Sequence, residues 1–238
     1  MYKTVQESVS TINDLKLKVF DISDKEIVIC PVFTSLKSVC DAAKGSNIKI
    51  GAQDLFWEDK GAFTGEISAP MIKDAGCTHV IIGHSERRQF FHETNETVSK
   101  KTLAALKHGL TPIVCIGEKL DERESGKTFS VCEKQIREGL STLSRDQAAK
   151  IVIAYEPVWA IGTGKVATPA QAEEVHIYIR KTLVNLFGQE VADGMRILYG
   201  GSVKPENTSE LMSQQNIDGA LVGGASLEAD SFSKIIKY

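Results

Sequence analysis

Arg196-Ile197-Leu198-Tyr199-Gly200-Gly201-Ser202 is a short apolar run that stops at a glycine pair and a serine. The form returns at Gly219-Ala220-Leu221-Val222-Gly223-Gly224, and with a single glycine at His79-Val80-Ile81-Ile82-Gly83 and Pro112-Ile113-Val114-Cys115-Ile116-Gly117. Ile27-Val28-Ile29-Cys30, Ile48-Lys49-Ile50 and Ile151-Val152-Ile153-Ala154 complete the set. Runs that are apolar throughout, rather than alternating, suit strands covered on both faces. Between them lie segments of helical period with good terminal chemistry. Ser68 is a candidate cap for a helix closed by Gly76, and Asn95 for one closed by Gly109. Thr168-Pro169-Ala170-Gln171 joins a capping box to proline at the first helical position. Strand and helix therefore alternate from end to end, which predicts a parallel sheet with helical crossovers, either doubly wound or closed into a (β/α) barrel. Glycine turns after several strands, with no Gly-x-Gly-x-x-Gly opening the first unit, favour the barrel.

The chain has 238 residues, and α/β barrels fill about 200–250 as one unit, so the expectation is a single domain over 1–238. Hydrophobic residues make up 42% and charged residues 25%, which excludes disordered, fibrous and disulfide-scaffold classes. Lys and Arg total 28 against 31 Asp and Glu, a formal charge of -3. That balance leaves no broad cationic face for nucleic acid. The five cysteines, Cys30, Cys40, Cys77, Cys115 and Cys132, lack the spacing of a zinc site or a redox dithiol. They read as buried thiols in a reducing compartment. Residues 1–20 have no signal-peptide core, and no apolar run approaches the roughly 20 residues that span a bilayer. A cytoplasmic protein without membrane contact is expected.

Polar residues at the C-terminal ends of barrel strands point into the mouth where substrates bind. His84 follows Gly83 and opens His84-Ser85-Glu86-Arg87-Arg88, which reads as a helix start. The positive end of a helix dipole depresses a histidine pKa and keeps the ring neutral, able to donate to a substrate oxygen. The alternative is a histidine satisfied by its neighbours. Glu156 ends the run Ile151–Tyr155 and precedes Pro157-Val158-Trp159-Ala160-Ile161-Gly162-Thr163-Gly164-Lys165. Under an apolar loop a carboxylate loses water and gains basicity for proton abstraction, and hinge-like residues flanking a bulky middle suit a lid. The alternative is a carboxylate paired with a nearby Arg or Lys. Gly200-Gly201-Ser202 and Gly223-Gly224 follow the last two strands, where barrels frequently bind phosphate through main-chain N–H groups.

Gly83–Arg88, Ala154–Gly164, Tyr199–Val203 and Leu221–Leu227 closely resemble the signature segments of triosephosphate isomerases, in that family's order and spacing. The similarity includes Gly51-Ala52-Gln53 and Gly61–Glu66, and runs from the first helix to Tyr238. It implies a TIM (β/α)8 barrel and interconversion of dihydroxyacetone phosphate and glyceraldehyde 3-phosphate through an enediolate. Glu156 would be the base and a neutral His84 the electrophile, a pairing for which this family is the general illustration. Glu86 resembles the residue that supports the site through a lysine, and Cys115 a buried cysteine beside the site. The resemblance makes Pro157–Lys165 the phosphate-gripping lid and gives Gly162, Ser202, Gly223 and Gly224 as donors to the substrate phosphate. It implies no metal or cofactor. The loop Asp54–Gly65 resembles an arm that reaches a neighbouring subunit with Thr64 near its tip, implying a homodimer in which Phe56, Trp57 and Phe63, otherwise exposed, are covered; the alternative is that they fold back on their own subunit.

One feature departs from the family. The sequence opens on a helix, Lys3 to about Phe20, so seven strands are expected where a closed barrel has eight. In the family, a strand ending in Asn-x-Lys leads directly into residues like Met1-Tyr2-Lys3-Thr4, and Lys3 lies past that strand. A barrel lacking its first strand, N-terminally truncated, is therefore expected. It would leave two sheet edges unpaired and lack the lysine that neutralises phosphate and enediolate charge, making an impaired isomerase. The competing expectation is a non-catalytic relative that binds phosphorylated sugars or proteins.

Overall fold

The computed structural model describes residues 1–161 and 166–238. Chain order runs α1 (Val5–Val19), β1 (Ile27–Ile29), α2 (Leu36–Ala43), β2 (Ile48–Ala52), α3 (Ala69–Ala75), β3 (His79–Ile82), α4 (Ser85–Phe90) and α5 (Asn95–Lys107). It continues with β4 (Thr111–Ile116), α6 (Leu120–Glu124), α7 (Thr128–Leu140), α8 (Arg145–Ala148), β5 (Val152–Tyr155), α9 (Pro169–Phe187) and α10 (Gln189–Gly194). The last elements are β6 (Arg196–Tyr199), α11 (Thr208–Met212), β7 (Gly219–Ala220) and α12 (Ala229–Ile236). Each of the seven apolar runs is a strand, and all seven are parallel neighbours in chain order. The sheet curls into a half-barrel.

Both faces of the sheet are apolar because each has something to bury. Ile81 stands beside Ile113, and Ile113 beside Val152. These three, with Cys115 and Ala154, form the buried lining of the bore, against which Cys30, Leu198 and Leu221 pack. Alternate residues, among them Val80, Ile82, Val114, Ile153 and Ile197, belong to the larger core under the helices. Helix α1 starts on a reciprocal Thr4–Glu7 capping box and buries Ile12, Leu15 and Val19. Helix α9 starts on Thr168 and Gln171 with Pro169 at its first position, as its sequence predicts. Gly76 closes α3 at φ +106, a left-handed position that favours glycine. Ser68 precedes α3 but makes no side-chain cap bond. The expected Asn95 cap shifts by one residue. Thr94 caps α5 with Thr97, which leaves the Asn95 carboxamide to accept from Arg88 at 2.7 Å and donate to Glu138 at 2.8 Å.

Among the described residues β1 pairs only with β2 and β7 only with β6. Glu26, just before β1, accepts from Lys49 of β2 and from Arg196 of β6, and lies 3.5 Å from His79 Nε2. Burial opposes its ionisation, but the two cations hold its carboxyl down to about 2. This ion cluster ties the start of β1 to the far side of the sheet. No helix among the described residues is long and apolar enough to cross a membrane.

Candidate functional site

The site is built where β3, β4, β5 and β6 end. Gly83 turns the chain from β3 into α4 at φ +75. Its N–H donates to Glu93 Oε1 at 2.9 Å, and its carbonyl accepts from Arg88 Nε at 2.8 Å. His84 follows as the cap of α4, where its Nδ1 accepts the Glu86 N–H at 3.3 Å. Nε2 is thereby turned toward Glu156, 2.9 Å from Oε1. Glu156 stands just past β5 and is 2% exposed. Its backbone N–H donates to Ile116 O at 2.7 Å, and its Oε2 accepts the Ser85 N–H at 2.9 Å. Glycine is required around it: a Cβ at Gly117 would lie 1.7 Å from the Glu156 carbonyl oxygen, and one at Gly200 would lie 2.9 Å from its Cγ. The turns after β4 and β6 therefore let their strands close on this carboxylate. A cavity of about 220 Å³ opens here, lined by Gly83, Ser85, Arg88, Gly117, Gln135 and Glu156.

A depressed His84 pKa is expected from the helix dipole, and the structure corrects this. Burial does disfavour the imidazolium, but the hydrogen bond and charge of Glu156, with Glu86 and Glu93 behind, outweigh it and raise the pKa above the ordinary histidine value. Helix α4 is only six residues long, so few aligned peptide dipoles oppose that carboxylate. The Glu86 amide still selects a tautomer: in the neutral ring Nε2 carries the proton and donates to Glu156.

Of the other candidates, Cys115 is fully buried on the bore side of β4, and burial together with the Glu156 charge pushes its thiol well up. The Glu86 side chain is exposed, with Oε2 3.8 Å from His84 Nδ1, so its backbone rather than its carboxylate meets the histidine most closely. Ser202 is half-buried, and its carbonyl accepts from Asn207 Nδ2 at 3.0 Å. Gly223 and Gly224 are exposed, with nothing within 4 Å of where a Cβ would stand. In the lid candidate, Pro157–Ile161 carry a tight turn over Val158–Ala160, while Gly162, Thr163, Gly164 and Lys165 lie outside the described residues. Thr64 is exposed. Phe56 and Trp57 are half-buried rather than exposed. Phe56 stacks on Trp57 and Phe63 at centroid distances of 4.0 and 4.6 Å, and Lys100 lies over Trp57. Phe63 alone of the three stays exposed, at 43%.

Four charged residues that sequence reading passed over hold this site together. Arg88 joins β3 to β4, donating to the carbonyls of Gly83 and, at 3.2 Å, Cys115. Glu93 takes the Gly83 amide and also Lys101 Nζ at 3.1 Å, while Lys101 reaches Asp54 at 2.6 Å. Glu118, fully buried, accepts Trp159 Nε1 at 2.8 Å and the Tyr155 hydroxyl at 3.1 Å, anchoring the turn over Val158–Ala160. Burial raises the Glu118 pKa, and those two donors oppose the rise. Their partners come from other strands and helices, so no periodicity flags them. For Glu118 the available signal was an acid beside a strand-end glycine, in Gly117-Glu118. Among the described residues no group of three or more His, Cys, Asp or Glu is arranged to hold a metal ion.

The family model described as triosephosphate isomerase matches residues 1–238. A protein named triosephosphate isomerase from Endomicrobium trichonymphae is 61% identical over all 238 residues, which cover 95% of it. One of the same name from Geotalea uraniireducens is 57% identical over the same span, also 95% of its length. The crystal structure of triosephosphate isomerase from Bartonella henselae superposes with a TM-score of 0.90 at 40% identity, covering 100% of this chain and 94% of that one. With the whole chain matched in sequence and in fold, this protein belongs to the triosephosphate isomerase family.

Proposed function

We propose that the protein interconverts dihydroxyacetone phosphate and D-glyceraldehyde 3-phosphate by proton transfer through an enediolate. The observation that carries this reading is the 2.9 Å contact between His84 Nε2 and Glu156 Oε1 at the mouth of the half-barrel. The Nε2–H that donates to Glu156 is the donor a substrate carbonyl needs, and it cannot serve both at full strength. A carbonyl oxygen arriving at Nε2 therefore displaces Glu156, freeing a desolvated carboxylate beside the substrate. Glu156 takes the proton from the hydroxyl-bearing carbon next to that carbonyl. His84 stabilises the oxyanion that develops and, through Nε2, gives that oxygen a proton and takes one from the neighbouring hydroxyl, which becomes the new carbonyl. Glu156 then returns its proton to the former carbonyl carbon. Side chains of this protein carry the proton throughout. The main-chain donors of Gly162, Ser202, Gly223 and Gly224 would hold the phosphate, with Pro157–Lys165 closing over it. A homodimer meeting through the arm that carries Thr64, one folding unit over 1–238, and a cytoplasmic setting suited to five free cysteines complete the reading.

The resemblance adds an Asn-x-Lys strand ahead of Met1. A cation there would neutralise the phosphate and the enediolate, and losing one such preorganised group typically costs ~10²–10³ in kcat. The test is a coupled isomerase assay on the 238-residue polypeptide and on the same polypeptide extended by that strand. The extended protein should turn over, and the shorter one should be slower by at least that factor. An extended protein that binds phosphorylated trioses but never isomerises them would overturn the reading and leave a phosphosugar-binding relative.

A further inference from the structure

Cys40 and Cys77 are 37 residues apart, yet their sulfurs lie 3.9 Å from each other. Cys40 belongs to the buried face of α2, and Cys77 follows the Gly76 turn that ends α3. Both are free thiols. Gly76 makes the approach possible: a Cβ there would stand 3.2 Å from Cys40 Cβ and 3.4 Å from its sulfur. The scattered spacing in the sequence thus conceals a thiol pair away from the His84–Glu156 site. The two sulfurs differ in character. Cys40 is 7% exposed and Cys77 1%; Lys37 and Lys44, one turn either side of Cys40, are both paired with Asp41, whose charge opposes theirs at the sulfur. Either thiol can donate to the other across that distance; their hydrogen bond lowers the Cys40 pKa and raises that of Cys77.

We propose that Cys40 and Cys77 form an oxidation site for peroxides, with Cys40 attacking and Cys77 resolving. The Cys40 thiolate attacks one peroxide oxygen; a sulfur–oxygen bond forms, the oxygen–oxygen bond breaks and hydroxide leaves, giving a sulfenic acid. The Cys77 sulfur then attacks the Cys40 sulfur, the sulfur–oxygen bond breaks, and the departing hydroxide takes the Cys77 proton as water. Two electrons pass from the thiols to the peroxide. The sulfurs must close from 3.9 Å to the ~2.05 Å of a disulfide. The product staples α2 to the turn before β3 and encloses β2 and the arm in one covalent loop. Neither step uses His84 or Glu156, so the site stands apart from the isomerase reading.

The test is mass spectrometry of the folded 238-residue protein after hydrogen peroxide, without turnover as a readout. A loss of two hydrogens and a cross-link between tryptic peptides 38–44 and 74–87, reversed by dithiothreitol, is the expected result. In Cys77→Ser, dimedone should trap a sulfenic acid at Cys40. In Cys40→Ser, labelling of Cys77 should fall at least about tenfold below that. A cross-link to Cys30, Cys115 or Cys132 in place of Cys40–Cys77, equal labelling of the two single variants, or no reaction short of unfolding overturns the proposal.

Discussion

The His84–Glu156 contact gives the imidazole a partner that sequence alone does not supply. A carboxylate 2.9 Å from Nε2 raises the affinity of the ring for a second proton, although burial acts against it. Replacing Glu156 with Gln keeps the shape and removes the charge, so the His84 pKa should fall, which ring-proton chemical shifts followed against pH report directly. An unchanged titration would mean that Glu156 does not set it. The same substitution in the strand-extended protein should lower kcat by roughly 10²–10⁴ with little change in KM, the magnitude general base catalysis contributes. Gly200 probes the packing around the base. A methyl group there would meet Glu156 Cγ at 2.9 Å and the Tyr155 carbonyl at 3.2 Å. Gly200→Ala should therefore shift Glu156 and cost about 1–3 kcal/mol, the usual cost of overpacking, read from urea midpoints. Both His84 and Glu156 were legible in the sequence because each stands just past an apolar run. Their contact was not, because 71 residues separate the segments that meet at Ser85 and Glu156.

At the scale of elements, the strands were legible because most of each run is apolar on both faces, Lys49 and Arg196 excepted, and the structure gives each face a core to fill. What stayed hidden was how buried polar groups in those elements are paired. His79 at the start of β3 and His176 within α9 are both buried, and burial lowers each pKa to about 4. His79 Nδ1 lies 2.7 Å from the Thr78 hydroxyl, and His176 Nδ1 lies 3.0 Å from the Asn216 carbonyl. Unfolding releases both to the ordinary value near 6.5, so between about pH 6.5 and 4 the unfolded chain binds more protons than the folded one. Stability should be full above that window and fall through it as acid is added. The deeply buried His176 accounts for roughly 3 kcal/mol at 1.36 kcal/mol per pKa unit. Glu26, held down to about 2, extends the loss below pH 4.5 as its links to Lys49 and Arg196 are protonated away. His84 works in the opposite sense: its raised pKa adds stability in acid that is lost as pH rises through the folded value. Urea midpoints taken in steps from pH 7 to pH 4 should show the decline, and His176→Gln should flatten it by about one proton. A flat profile in the unsubstituted protein would refute the burial argument.

The whole molecule presents two kinds of surface that invite association, and they lead to different assemblies. Strands β1 and β7 have one ladder partner each among the described residues, and sheet edges of that kind can pair with another copy without a limit on growth. The arm offers a bounded patch instead. Phe63 is 43% exposed and Phe91 64%, and the Arg87 guanidinium, 2.7 Å from Asp54 at the arm's base, lies over the Phe91 ring at 4.9 Å. Asp54 and Asp59 pin the arm to α4 and α5 through Arg87, Lys101, Lys107 and His108, so it is presented already ordered. An ordered aromatic patch lowers the entropic cost of docking a second copy, which supports the proposed homodimer. Substitutions separate the two routes. Phe63→Asp with Phe91→Asp should convert dimer to monomer in sedimentation equilibrium and remove the concentration dependence of Tm. It should leave slow light-scattering growth in place. Val28→Lys, a charge on the open strand, should suppress that growth and leave the dimer intact. If the aspartates stopped the scattering and spared the dimer, the two subunits would be meeting at the strand edges, and the arm would have no part in the assembly.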